Sequence, residues 1–207
     1  MSPLTHFMAS WLVAAATTEN PRDRRLITIA GVIPDIDGFG MIADVVKSIA
    51  TGEPTTFFYY QRYHHYLGHG WPAAIVFTLA FACLARQRWR TALLCLAMFH
   101  LHLLCDFIAS RGPTPGDIWP ILYGEPVSRH PVWMWKGQWQ LDGWQNRIIA
   151  VLLVFTVLGV TARRGISCLE VFSRRLDAGF VRVIQKWYSA FRPGPKPQEN
   201  TGPQDQI

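Results

Sequence analysis

Charged side chains are scarce in this 207-residue chain, where Asp, Glu, Lys and Arg make up 16% of the residues and hydrophobic residues 50%. The mean hydropathy of +0.12 is high for a water-soluble protein and low for a fully embedded one. No apolar run reaches 18 residues without a histidine or a charge, so no segment is an unambiguous membrane span. The length fits one domain of ordinary size.

Cysteine is also rare, and none of the four cysteines has the paired spacing of a metal-binding motif. All four stand in apolar or amphipathic helical context, so we interpret them as small core residues and not as a disulfide framework. The net charge is +6, but many arginines stand at the ends of apolar segments. A nucleic-acid-binding face instead usually has a stripe of basic residues together with an element that contacts the bases. Nucleic-acid binding is therefore not expected as a primary role.

Five apolar segments are predicted to be helices: residues 7–18, 26–33, 71–85, 91–109 and 148–162. As a helix, 91–109 would span about 28 Å, close to the roughly 30 Å hydrocarbon core of a membrane. Residues 71–85 and 148–162 would each span about 23 Å and need tilt, bilayer thinning or interfacial aromatic residues. Five tryptophans outside the segments fit an interfacial belt: Trp119, Trp133, Trp135, Trp139 and Trp144.

Two basic turns connect these segments and indicate an orientation. They contain Arg22, Arg24 and Arg25 in the first and Arg86, Arg88 and Arg90 in the second. The positive-inside tendency places such turns in the cytoplasm. Basic residues at the other end weaken the bias: Arg62, Arg111, Arg129 and Lys136. The sequence predicts a multi-pass protein of a bacterial-type inner membrane, with the end opposite the basic turns on the outer face.

Histidines and aspartates interrupt the chain in four clusters: His6; Asp35 and Asp37; His64, His65 and His69; and His102 with Asp106. Counting from Arg88 back to His69 and forward to Asp106 crosses nearly equal numbers of residues, so antiparallel helices would bring both side chains level. His6 and Asp35 are likewise separated from Arg22, in the first basic turn, by similar numbers of residues. We therefore expect all four clusters at one end of an antiparallel bundle.

The helical clusters contain residue types that bind divalent metals. His102 and Asp106 stand four residues apart and project from one helical face. There they can share an ion, or the aspartate can orient the imidazole. His65 and His69 have the same spacing, while His64 needs a loop geometry to join them. A hydrogen-bonded His/Asp pair that holds helices together, or a histidine-rich aromatic loop, would be a purely structural alternative.

Asp35 and Asp37 lie between Pro34 and Gly38, which predict a tight break after the second segment. Two acids one residue apart repel each other without a cation beside them, although acidic helix caps look similar. Carboxylates of this kind complement imidazoles on zinc, manganese or iron. Three carboxylates and up to five imidazoles are too many for one tetrahedral ion, so two or more divalent metals, zinc foremost, are predicted.

The order of these motifs resembles the YdjM-like family of membrane-bound, predicted metal-dependent hydrolases, over roughly residues 1–144. The motifs are Thr5-His6, Pro34-Asp35-Ile36-Asp37, the His-His-x-x-x-His stretch, and His102 with Asp106 followed by Ser110-Arg111-Gly112-Pro113 and Trp119-Pro120. The family is distantly similar to zinc-dependent phospholipase C and related nucleases, which implies phosphoester hydrolysis. This chain has His65 where arginine is usual, and Gly68 and Gly70 where hydroxyl residues are usual.

We interpret the chain as a membrane-embedded metal-dependent hydrolase that acts on a phosphoester or lipid-like substrate through a water activated by metal. The predicted metal ligands are His6, Asp35, Asp37, His64, His65, His69, His102 and Asp106. Asp37 is also the expected base, and Arg111 is expected to stabilise developing negative charge. One alternative is an intramembrane metal or proton carrier. Another is a bis-histidine haem protein, but haem binding does not require the three carboxylates.

Apolar residues recur every three or four positions after Arg164 and predict an amphipathic helix: Leu169, Phe172, Leu176, Phe180, Val183, Trp187 and Phe191. That helix either lies on an anionic membrane surface or packs against the core. The predicted fold class is all-α, a membrane-embedded antiparallel bundle of about five helices plus the amphipathic helix. We assign residues 1–164 to the metal-binding helical domain, 165–192 to the surface helix and 193–207 to a disordered tail.

Overall fold

The computed structural model describes residues 1–64 and 66–191, without the side chains of Gln61 and Arg62. This part of the chain is mostly helical, which confirms the predicted fold class. The α-helices are α1 Pro3–Thr17, α2 Pro21–Ala30, α3 Gly40–Thr51, α4 Phe58–Tyr63, α5 Trp71–Leu84, α6 Arg88–Ala109, α7 Trp144–Arg164 and α8 Arg174–Phe191. The predicted tail, residues 193–207, lies outside the described residues.

Short 3₁₀ segments and one small hairpin complete the described structure. The 3₁₀ segments are Ile33–Phe39, between α2 and α3, and Cys168–Val171, between α7 and α8. The strands β1 (Ile121–Leu122) and β2 (Val132–Trp133) pair antiparallel between α6 and α7, with Ile121 opposite Trp133.

Local sequence signals begin and end several of these helices. Proline occupies the first turn of α1 and of α2, where its missing N–H costs no hydrogen bond. The Asn20 side chain caps α2 by accepting hydrogen bonds from the backbone N–H groups of Arg22 and Asp23. Helix α3 ends at Gly52, which adopts a φ of 70°. Glycine reaches this left-handed conformation without steric cost.

The five predicted apolar segments correspond to α1, α2, α5, α6 and α7. Helix α6 begins at Arg88, three residues before its predicted start. Arginine favours helix formation, and its long side chain can keep the guanidinium in water while its aliphatic part covers apolar surface. Helices α3 and α4 were not predicted. They lie between the aspartate pair and the histidine stretch, and α3 leaves Ile42, Val46 and Ile49 exposed.

The core is formed mainly by α2, α5 and α6, with α1 packed against α2. Its fully buried side chains include Trp11, Ile27, Phe99 and Leu103. Buried alanines at positions 14, 30, 73 and 74 let the helix backbones approach closely. The packing brings elements that are distant in sequence to the end of α6.

The two basic turns lie beside each other. Asp23, which is fully buried, accepts hydrogen bonds from the backbone N–H groups of Arg86 (2.8 Å) and Gln87 (3.1 Å). The guanidinium of Arg90 also donates to the carbonyl oxygen of Thr17. These contacts join the start of α2 to the turn between α5 and α6.

Among the described residues, two helices are long and apolar enough to cross a membrane, by length and composition: Arg88–Ala109 and Trp144–Arg164. Helix α2 and the helical residues 33–51 are bent by 56° relative to each other. If the two are treated as a single broken span, the described structure has three candidate spans. Helix α5 is apolar but shorter.

The chain divides into two compact units, Met1–Val157 and Leu158–Ile207. In the second unit, Ser167 donates from its backbone N–H and from its hydroxyl to Asp177 Oδ1, at 2.7 Å each. Val181 is the buried apolar residue of α8. The domain limits expected from the sequence stay predictions.

Candidate metal centre

His102 and Asp106 lie one turn apart on α6, and both are buried. His102 Nε2 is 3.1 Å from Asp106 Oδ2. On the other side of the ring, His102 Nδ1 donates a 2.8 Å hydrogen bond to the carbonyl oxygen of Gly31, just after α2. A carbonyl can only accept, so Nδ1 carries a hydrogen and the ring directs Nε2 toward the carboxylates.

Gly31 can approach α6 this closely because it has no side chain. A Cβ atom at this position would lie 1.8 Å from Ser10 Oγ and 3.5 Å from the side chain of Met98. Glycine therefore lets the end of α2 fit between α1 and α6, and its carbonyl oxygen fixes the His102 ring.

His69, which precedes α5, is fully buried and lies between two carboxylates. Its Nδ1 is 3.2 Å from Asp37 Oδ2, and its Nε2 is 3.6 Å from Asp106 Oδ2. Burial by itself lowers the pKa of the His69 imidazole, but hydrogen bonds and charges from Asp106 and Asp37 outweigh it and raise the pKa to about 9. In the metal-free protein His69 is therefore protonated at neutral pH.

Asp37 uses both carboxylate oxygens inside the protein. Oδ1 lies 2.9 Å from His64 Nδ1, while Oδ2 accepts a 3.0 Å hydrogen bond from the backbone N–H of Gly68 besides its contact with His69. A Cβ atom at Gly68 would lie 2.2 Å from the carbonyl oxygen of Pro34. Because it has no side chain, Gly68 permits this close backbone approach.

Asp35 completes the inner group from the 3₁₀ segment. Its Oδ1 is 3.6 Å from His102 Nε2. Its Oδ2 is buried and has no hydrogen-bond partner among the described residues. A buried carboxylate oxygen without a donor is costly, so this atom indicates a cationic ligand.

Four side chains meet at this point: Asp35, His69, His102 and Asp106 each offer one ligand atom, all within 4.8 Å of one another. Zinc takes nitrogen and oxygen ligands at about 2.0–2.2 Å, which places tetrahedral ligands roughly 3.3 Å apart. Small side-chain movements would close the observed distances to that value. Two imidazoles and two carboxylates form a donor set that suits zinc, iron or manganese. The residues present therefore fit a divalent metal ion.

Asp106 divides its two oxygens between different neighbours. Oδ2 faces His69 and His102, while Oδ1 accepts from Ser110 Oγ at 2.9 Å and lies 3.1 Å from His6 Nε2. The amino group of Met1 also contacts Oδ1. These partners hold the carboxylate so that Oδ2 is the oxygen presented to the metal position.

His6, on α1, is buried and stacks on His102 with ring centroids 3.7 Å apart. Burial lowers the pKa of His6, and the neighbouring His102 acts in the same direction. A neutral imidazole is the form that binds metals.

His64 lies on the outer side of Asp37, where its ring stacks on Tyr60 at 4.5 Å and meets the edge of Trp119 at 5.5 Å. It lines an open cavity of about 660 Å³ together with residues of the 112–122 loop, among them Trp119, Pro120 and Leu122. The cavity therefore reaches the His64–Asp37 pair, which in turn contacts His69.

The structure thus connects seven of the eight predicted ligands through contacts: His6, Asp35, Asp37, His64, His69, His102 and Asp106. His65 lies outside the described residues. Arg111, the other predicted catalytic residue, lines a different pocket with Trp139 and Arg147. Whether each residue binds metal or acts in catalysis stays a prediction.

Sequence reasoning missed the groups that orient the ligands. The Gly31 carbonyl and the Gly68 N–H carry no side-chain signal, so no motif could have revealed them. Ser110 could have been found, because it stands four residues after Asp106 at the end of α6.

A family described as YdjM inner membrane protein has a sequence model that matches residues 1–168. The match covers 168 of the 207 residues, so the chain belongs to this family and the resemblance is confirmed. No curated protein and no solved structure matches the chain. Family membership and the apolar helices together support an inner-membrane location.

Proposed function

We propose that this member of the YdjM inner membrane protein family is a metal-dependent hydrolase that acts on a phosphoester or lipid-like substrate. The observation that carries the proposal is the group of Asp35 with the buried His69, His102 and Asp106, in which Asp35 Oδ2 has no hydrogen-bond partner among the described residues. These four residues would hold a divalent metal, which would supply a nucleophilic water of lowered pKa and Lewis-acid polarisation of an ester oxygen.

We assign the four inner residues to metal binding and their neighbours to orientation. The Gly31 carbonyl and Asp37 hold the rings of His102 and His69 through Nδ1. Such outer partners fix the tautomer and strengthen the ligand. Because both oxygens of Asp37 are engaged, the geometry favours an orienting role for this residue over the role of base.

His64 is the better candidate for moving a proton. It lines the open cavity, and Asp37 holds its Nδ1 at 2.9 Å. A histidine oriented by a carboxylate is a common general acid or base in hydrolysis. We therefore propose that His64 exchanges a proton with the substrate or with water.

Asp106 supports the proposal of more than one metal. Its Oδ1 and Oδ2 face different imidazoles, His6 on one side and His69 with His102 on the other. His6 and Asp106 would then hold a second ion in exchange for the present contacts of Oδ1, and a pair of metals would supply charge stabilisation to the attacking and leaving oxygens of an ester. We propose zinc as the metal, with His6 as a ligand of the second ion.

The cavity beside His64 supports a small or lipid-like substrate. Its volume of about 660 Å³ and its lining of Trp119, Pro120, Leu122 and Asp117 combine apolar and polar surface. Ligand sites commonly have this size and mixture.

We further propose that α8 contacts an anionic membrane surface. At 100° per residue, Leu176, Val183 and Trp187 fall within an arc of about 40°, roughly opposite the buried Val181. All three are exposed, by 58%, 47% and 62%. A basic group borders this arc: Arg175, Arg182 and Lys186. An exposed apolar arc beside basic residues is typical of a helix lying in the membrane interface.

The hydrolase proposal is tested with full-length protein purified in detergent, its variant His102→Gln, and His100→Gln as the matched control. His100 is on the same helix but bonds to Tyr123 Oη and the Leu96 carbonyl. We expect wild type and His100→Gln to hold metal and to hydrolyse a phosphodiester or phospholipid, and His102→Gln to lose both. Metal content unchanged in His102→Gln would refute the site. Metal flux across proteoliposomes without ester turnover would favour the carrier instead.

A further inference from the structure

A second polar pocket, of about 770 Å³, is formed where the hairpin region leads into α7. Its lining includes Arg111, Trp139, Gln140, Trp144 and Arg147, and none of its residues belongs to the His/Asp cluster. The pocket therefore needs an explanation of its own.

Arg111 supplies the first part of that explanation. Its Nε is buried and has no hydrogen-bond partner among the described residues. Its backbone is held firmly, because its N–H donates to the Trp139 carbonyl at 3.0 Å and its carbonyl accepts from the Leu141 N–H at 2.9 Å. A buried guanidinium N–H without an acceptor is unfavourable, so an acceptor from a ligand is expected.

Arg147, in the first turn of α7, supplies a second guanidinium. Its Nε donates to the Asp142 carbonyl oxygen at 3.0 Å, which orients the group at the pocket wall. Throughout residues 1–64 and 66–191, neither Arg111 nor Arg147 forms a side-chain ion pair. The Asp142 side chain also lines the pocket, so two positive charges face one negative charge.

Two guanidinium groups that share a pocket recognise oxyanions through paired N–H donors. Phosphate fits best, because its several oxygens can accept from both groups at once. The pocket also lies at the amino-terminal end of α7, where the helix dipole favours negative charge. The indole rings of Trp139 and Trp144 are the kind of side chain found at the membrane–water interface.

We propose that this pocket binds a phosphate group, which belongs either to a phospholipid head group or to a soluble phosphate compound. Arg111, through its buried Nε, is the inner contact and the exposed Arg147 is the outer contact. The site acts independently of the metal centre, so Arg111 is a binding residue here and does not touch the reacting atoms of the proposed hydrolysis.

The experiment uses full-length protein, stripped of lipid in a phosphate-free detergent buffer. One arm counts phosphatidylglycerol bound per protein by native mass spectrometry, with diacylglycerol as the lipid that lacks phosphate. The other arm titrates inorganic phosphate and glycerol 3-phosphate by calorimetry. Saturable binding in the first arm identifies a lipid head group as the source, and binding in the second identifies a soluble phosphate.

The variants are Arg111→Gln and Arg147→Gln, with Arg129→Gln as the matched control. Arg129 lies in the same region, but its side chain is 84% exposed. We expect each pocket variant to weaken phosphate binding about tenfold or more, because a charge-assisted pair is lost. Arg129→Gln should bind like wild type.

Metal content and thermal unfolding of each variant show that the fold and the metal centre are intact. Arg147→Gln keeps the test decisive if Arg111→Gln fails to fold, because Arg147 is exposed. No binding of phosphatidylglycerol or of either soluble phosphate by wild type would overturn the proposal. Equal affinity of wild type and Arg147→Gln would also overturn it.

Discussion

Asp37 Oδ2 lies 3.2 Å from Nδ1 of His69, and this contact turns the opposite nitrogen of the ring toward Asp106. A carboxylate that holds a histidine in this way is a common outer partner of metal sites. The same carboxylate contacts His64 at the edge of the open cavity. Asp37 thus links the inner group to the surface from which a substrate would approach.

Replacing Asp37 with asparagine should weaken metal binding without removing an inner ligand. Loss of such an outer carboxylate typically lowers metal affinity about 10- to 100-fold. Competition with a coloured chelator measures the affinity, and Asp117→Asn is the control, because Asp117 bonds within the exposed 114–117 turn. Equal affinity of Asp37→Asn and wild type would contradict the orienting role.

Zinc binding should release a proton from His69. The pKa of His69 is about 9 in the metal-free protein, so the ring is charged below pH 9 and must lose a proton to bind metal. Because of the His69 proton, the apparent affinity for zinc should fall about tenfold for each pH unit below 9. Above pH 9 the contribution disappears. Calorimetry in buffers of different ionisation enthalpy counts the protons, and a count at pH 7 that is the same as at pH 10 would refute the prediction.

Gly68→Ala should destabilise the fold and loosen the centre. The new Cβ would meet the Pro34 carbonyl at 2.2 Å and push the 66–70 turn away from Asp37. We expect a loss of about 1–3 kcal/mol in the free energy of unfolding. Thermal unfolding checks this against Gly116→Ala, because a Cβ at Gly116 would meet nothing within 4 Å. Equal melting temperatures of the two variants would argue against the close approach.

Asp23→Ala should destabilise the end of the molecule opposite the inner group. The buried carboxylate of Asp23 accepts from two backbone N–H groups, and its removal leaves both without their acceptor. We expect a cost of about 1–3 kcal/mol per unsatisfied buried group. Denaturant unfolding in detergent measures the cost, while metal affinity should stay near that of wild type. A stability equal to wild type would show that these hydrogen bonds are replaced by water.

Helix α8 should be protected by anionic lipid. Hydrogen exchange of α8 in nanodiscs should be slower with phosphatidylglycerol than with phosphatidylcholine, since the basic border is attracted to negative charge. The triple variant Arg175→Gln, Arg182→Gln and Lys186→Gln should abolish the difference. Gln185→Ser, which changes no charge, should retain it. Identical exchange in both lipids would favour a helix that packs against protein.

The sequence was sufficient to predict helices and the meeting of distant clusters. Rise per residue is constant in a helix, so equal counts on either side of a turn bring His69 and Asp106 level. The side chains of His102 and Asp106 share a face because four residues nearly complete one turn. Local periodicity determines the shared face, while the level position of His69 and Asp106 also requires that a short turn makes the two helices antiparallel. Helices α3 and α4 were not among the predicted segments, although Ile42, Val46 and Ile49 recur in α3 at the three- or four-residue spacing of a helix.

Only the tertiary structure separated residues that bind from residues that orient. Asp35 and Asp37 are two residues apart in one motif, yet within the described part of the chain Asp35 Oδ2 has no hydrogen-bond partner, while Asp37 contacts His64, Gly68 and His69. Arg111 follows Ser110 directly, but it lines another pocket with Arg147, 36 positions away. Residue type and spacing along one segment determine which chemistry is available. The direction of each side chain depends on backbone groups from other segments, and those groups are specified only when the helices pack.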